Sequence, residues 1–167
     1  MVASVIVKAS DRQLLEAQLL FAEEHSDRHT RKWSKSSTPN REKYMRCIAA
    51  NDLMSTQIYG TYFNDRTDYG AMTSEAIVNA IRSYAGKDEY RATIIVDALN
   101  DKEKGRMVRS LKRHGIRYKK VRGAKKDENW ISVRLADSVA GMLRSAREGN
   151  EKAATWESAL RKKGILC

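Results

Sequence analysis

The chain has a single proline, Pro39, and only two cysteines. With 41% hydrophobic and 32% charged residues, that scarcity of proline excludes a disordered or low-complexity chain and fits a globular one. Long apolar runs are missing as well. No stretch approaches the roughly 20 apolar residues that a membrane-spanning helix needs, and the opening Met1-Val-Ala-Ser-Val-Ile-Val meets Lys8 too soon for a signal peptide. A cytoplasmic protein without a membrane partner is therefore expected. Cys47 and Cys167 form neither a disulfide framework nor a Cys-x-x-Cys metal knuckle, so both are expected to be free thiols. No internal repeat or linker interrupts the 167 residues, which suit one domain spanning 1–167.

Acidic residues are scarce in one place. From Lys102 to Lys126 the sequence carries twelve Lys or Arg against one acid, Glu103, a local excess equal to the +11 net charge of the whole chain. Charge packed into one helix and one strand favours an anionic partner over a merely solvated surface. Nucleic acid, an extended polyanion, is the expected one.

In chain order, Val2 to Ala9 reads as a buried strand, with Ser10-Asp11 capping the next helix. Leu15, Leu19 and Ala22, with Leu14, Ala17 and Phe21 alongside, give that helix one broad core face. His25 and His29 have the spacing that places two imidazoles on one helix face, but without a stronger ligand set they read as surface histidines. Trp33, among Arg31, Lys32 and Lys35, reads either as a base-stacking aromatic or as a core anchor. Thr38 reads as the cap of a second helix with Pro39 at its first position, Gln57 to Phe63 alternates as a strand, and Thr73 caps a third helix that Gly86 closes. In the turn between them, Asp65 and Asp68 read as turn residues rather than ligands.

Thr93-Ile-Ile-Val96 is continuously apolar and β-branched, as for a strand covered on both faces and central in a sheet. Asp97 ends it, at the kind of position where open α/β sheets bind ligands or where an acid simply caps a turn. Asn100 and Glu103 form a capping box that starts a helix at once. On that helix Lys102, Arg106, Arg109 and Arg113 share one face, opposite Met107, Val108 and Leu111. A strand from Ile116 to Val121 follows, bearing Lys119 and Lys120, and Lys125 and Lys126 carry the basic strip toward Asp127. The last long helix begins near Trp130 and buries Ile131, Leu135, Val139, Met142 and Ala146. Asp137 lies opposite that stripe, which by itself reads as exposed surface, but Val133 and Ala140 lie close to it and offer a second reading, at the edge of a second apolar side and aimed at a cleft. A short terminal helix with Trp156 and Leu160 packs back, followed by Ile165-Leu166. Acids at the joints of a basic segment suggest metal-dependent phosphate chemistry.

Three strings, Ile94-Ile-Val-Asp-Ala-Leu-Asn100, His114-Gly-Ile-Arg-Tyr-Lys-Lys-Val-Arg-Gly123 and Lys126-Asp-Glu-Asn129, together with Arg134-Leu-Ala-Asp-Ser-Val-Ala-Gly141, resemble a widespread ribonuclease H-like family whose function is unassigned. The resemblance is strong over 92–147, weaker upstream, and leaves 148–167 as a helical tail. It implies an α/β fold, a ribonuclease H-like mixed sheet flanked by helices. It also implies an acidic cluster of Asp97, Asp127 and Asp137 that binds Mg²⁺ or Mn²⁺ and catalyses phosphodiester hydrolysis. Lys102, Arg106, Arg109, Arg113, Lys119, Lys120, Lys125 and Lys126 would then hold the nucleic-acid backbone. Family members usually open with a strand bearing Asp-Glu-Ser, and nothing in this sequence matches it. The expectation is therefore a metal-dependent nuclease-like protein whose missing strand comes from an upstream segment, another segment or a second subunit, or else a catalytically inactive nucleic-acid-binding module of the same fold.

Overall fold

A computed structural model describes residues 1–50, 56–64, 68–86, 88–125 and 130–167. The β-branched opening forms strand β1, Val2–Ile6, which pairs antiparallel with β2, Gln57–Thr61, in a register running from Val2 opposite Thr61 to Ile6 opposite Gln57. Strand β3, Ala92–Val96, pairs in parallel with β4, Tyr118–Gly123. Around them lie helices α1 (Arg12–His25), α2 (Thr38–Ala50), α3 (Tyr69–Ala85), α4 (Asp101–Arg113), α5 (Ile131–Arg147) and α6 (Glu151–Lys162). The molecule is thus mixed α/β. Among the described residues its strands form two separate two-stranded sheets, one antiparallel and one parallel, where one mixed sheet was expected.

The apolar run of β3 predicts a central strand, and the structure corrects this: among the described residues β4 is its only strand partner. Parallel strands need a crossover, and α4 supplies it. Met107 and Leu111 of α4 pack on Ile94, Val96 and Val121, so one face of the pair is core. The other face exposes Thr93 opposite Lys120.

The helix starts also differ in detail from expectation. A 3₁₀ turn, Ala9–Asp11, leads into α1, and the Asp11 side chain makes no capping hydrogen bond. Ser37, one residue before the expected Thr38, caps α2 by accepting from the Asn40 N–H at 3.3 Å. Asp68, not Thr73, caps α3, accepting from the Ala71 N–H at 3.0 Å. Each shift follows the side chain that reaches an orphan N–H of the first turn. On α1 the expected broad core face narrows: Leu15, Leu19 and Ala22 are buried, while Leu14 and Phe21 are exposed.

Two core clusters result. One gathers α1, α2, β2, α5 and α6, with Tyr44, Met45, Leu135, Met142 and Leu160 at its centre. The other joins α3, β3, α4 and β4 through Val78, Ile81, Ile94, Met107, Leu111 and Val121, with Ile6 of β1 packed against it. Helix α3 packs against β1, β2 and α4 and so touches both halves. The terminal Ile165 and Leu166 are buried, and the backbone here bonds to β2 on both sides of Leu166: Ile58 N–H donates to Ile165 O and Cys167 N–H to Ile58 O, each at 2.8 Å.

Candidate nucleic-acid interface and the acidic positions

Helix α4 is positioned from its first turn. The Asn100 side chain accepts from the Glu103 N–H at 2.9 Å and Glu103 accepts from the Asn100 N–H at 3.3 Å, which completes the capping box. Acids lie in its first turn and Lys112 and Arg113 in its last, an order that complements the helix dipole. With Met107 and Leu111 buried, Lys102, Arg106, Arg109 and Arg113 are all exposed on the opposite side. The amphipathic pattern therefore does two jobs at once, anchoring the helix and presenting the cations.

Strand β4 continues the basic surface by a different device. Its register with β3 steps from Ala92 opposite Tyr118 to Thr93 opposite Lys120, which leaves Lys119 without a cross-strand partner. Such a bulge breaks strict alternation of faces. Lys119 and Lys120 are consequently both exposed, as is Lys125 beyond the strand. Lys126 lies outside the described residues. Arg122 turns away from this strip toward Trp130, with its guanidinium carbon 4.8 Å from the ring centroid, and Arg12 of α1 approaches the same ring at 4.5 Å. Nothing local in the sequence pointed to this two-arginine contact, because Arg12 and Trp130 are far apart along the chain.

The three acids have separate fates. Asp97 is exposed at the carboxyl end of β3, and Ala98 directly after it has a left-handed backbone, φ +51°. A non-glycine residue there carries strain of roughly 1 kcal/mol or more, a feature that collects at functional sites. Asp127 lies outside the described residues. Asp137, on α5, accepts the Trp33 backbone N–H through Oδ2 at 3.1 Å. One turn on, Gly141 meets the Trp33 ring: a Cβ at this position would come within 2.3 Å of Cδ1. Asp137 and Gly141 thus form one seat for Trp33, whose ring also meets Trp156 edge-on at 6.2 Å. Of the two readings of Trp33, the structure shows the core anchor, 6% exposed.

The rest of the Arg134-to-Gly141 string also serves the interior. Arg134 grips Glu23 with two hydrogen bonds, of 2.8 and 2.7 Å, and both groups are largely shielded from solvent. Nearby, burial pushes the Tyr44 phenol well up from its ordinary range, with Arg28 opposing the shift. His25 and His29 are exposed, with His25 stacked on Phe21 at 5.3 Å.

No protein-family model, curated protein or solved structure matches this chain.

Mg²⁺ and Mn²⁺ take oxygen ligands, so carboxylates are the right donors. Among the described residues, however, no three His, Cys, Asp or Glu are grouped to hold an ion, and one oxygen of Asp137 is engaged by Trp33. The described side chains do not by themselves make a metal centre. No described helix is long and apolar enough to cross a membrane.

Proposed function

We propose that this protein binds nucleic acid through its phosphate backbone, with a ribonuclease H-like fold presenting the α4–β4 surface. The observation that carries this reading is the exposure of Lys102, Arg106, Arg109 and Arg113 along one side of a helix whose other side is buried, with Lys119, Lys120 and Lys125 continuing the strip. Cations so placed neutralise phosphates and release counterions, and they fix a nucleic acid in position without reading its bases. The test is fluorescence anisotropy with duplex, hybrid and single-stranded oligonucleotides over a salt series. Binding should weaken linearly on a log–log plot. Removing one contacting cation, as in Arg109→Ala, should lower that slope by about 1 and weaken all sequences alike. Absence of retention at low salt overturns the proposal.

A second reading, Mg²⁺- or Mn²⁺-dependent phosphodiester hydrolysis by Asp97, Asp127 and Asp137, is favoured by one feature. Asp97 stands exposed on a strained turn at the end of a parallel strand whose partner, β4, carries part of the basic strip. Cleavage by the wild type in either metal, abolished in Asp97→Asn, supports it. No cleavage, or equal cleavage by the variant, ends it.

A further inference from the structure

Helices α3 and α4 enclose a cleft of about 390 Å³. It is braced at both ends. Toward the start of α3, Arg106 pairs with Asp68 at 3.5 Å; toward its end, Arg82 donates to the His114 carbonyl at 2.8 Å. Between these braces the two walls differ in character. The α4 wall presents Arg109 and Arg113 beside Arg106, and the α3 wall presents Glu75 and Asn79. Among the described residues, the side chains of Arg109, Arg113, Glu75 and Asn79 have no hydrogen-bond or ion-pair partner, so all four face the cleft ready for a ligand.

The dimensions and the polarity of this cleft restrict what it accepts. Its volume lies at the small end for ligand pockets, enough for one nucleotide and too little for a duplex. Two free guanidiniums on one wall match a phosphate, by fork-like hydrogen bonds as well as by charge. The facing Glu75 repels a second anionic group and accepts hydrogen bonds from neutral donors instead, while Asn79 both donates and accepts. One phosphate joined to a neutral moiety rich in hydroxyl and amino donors satisfies both walls. We infer that the α3–α4 cleft is a seat for a single nucleotide, with its phosphomonoester held by Arg109 and Arg113 and its sugar or base donors received by Glu75 and Asn79. This rests on the nucleic-acid reading above and adds to it a pocket separate from the open lysine strip of β4.

The seat takes either a free nucleotide or the phosphorylated end of a strand, and the experiment separates these sources. Amide chemical shifts of the whole protein are followed during titration with 5′-AMP, adenosine and inorganic phosphate, and the affinities of 5′-phosphorylated and 5′-hydroxyl oligonucleotides are compared. The expected result is that 5′-AMP perturbs both α3 and α4 and binds about tenfold or more tightly than phosphate or adenosine alone. Glu75→Gln should erase the preference for 5′-AMP over phosphate without weakening phosphate itself, a response that simple damage to the fold would not produce. Tighter binding of the phosphorylated oligonucleotide identifies a strand end as the occupant, and equal binding identifies the free nucleotide. Shifts confined to α4, or 5′-AMP binding no better than phosphate, overturn the seat even if oligonucleotides bind. Failure of every oligonucleotide to bind instead overturns the broader reading.

Discussion

Arg28 is wholly buried, with its guanidinium carbon 4.6 Å from the Tyr44 ring centroid and, among the described residues, no hydrogen-bond partner for any of its side-chain nitrogens. A guanidinium does not lose its proton in a protein, so the charge persists. Glu23, the buried carboxylate whose charge also acts on Tyr44, is already held by two hydrogen bonds from Arg134. Burying an ion costs several kcal/mol, and the contact with Tyr44 returns about 2 of them. Arg28→Met is therefore expected to raise stability by about 1–4 kcal/mol, read as an increased midpoint of urea unfolding at unchanged slope. A lowered midpoint would show that the guanidinium has a counter-charge in solution. None of this was legible in His25-Ser-Asp-Arg-His29, which has the composition of a surface turn. The burial arises because the chain turns back after α1, with Asp27 and His29 on either side of Arg28 both at positive φ. Asp137 gives the same lesson: its partner Trp33 lies 104 residues away, and wheel geometry on α5 has no means of naming it.

Helix α4 was the most legible element, since its two signals are local. The capping box spans four residues and the amphipathic pattern thirteen, and neither depends on where the chain goes next. Asn100→Ala should cost about 1 kcal/mol, measured as a drop in unfolding free energy, because it orphans the Glu103 N–H and the return bond loses its geometry. An unchanged unfolding curve would mean that the cap contributes nothing to the fold. Helix α1 was legible only in part. Its apolar residues cover a wide arc, but α1 packs on α2 and α5 from one side, so Leu14 and Phe21 remain 47% and 57% exposed. Periodicity identifies which residues are able to face a core. It does not supply the neighbour that would cover them.

For the whole molecule, the resemblance implied an α/β chain and the charge pattern one strongly basic region on a helix and a strand, and both appear in the structure. The sheet pairing did not follow from the sequence. Pairing depends on which edges meet across long stretches of chain, and an apolar run such as Thr93 to Val96 looks the same whether one side or both are paired. The acidic constellation was obscured for a related reason: three carboxylates in sequence order carry no information about their separation in space.

The division into two small sheets also bears on how the backbone meets water. Among the described residues β1 bonds to a strand only along its β2 side and β3 only along its β4 side. Each therefore has a margin whose amides lack a strand partner. In native-state hydrogen exchange, the amides of β1 and β3 that point away from β2 and β4 should exchange well before their alternating neighbours; uniform protection along either strand would show that a further segment pairs there. An unprotected margin is also a template for any extended chain that meets it. Protein concentration then joins salt among the variables that set the state of this molecule in solution.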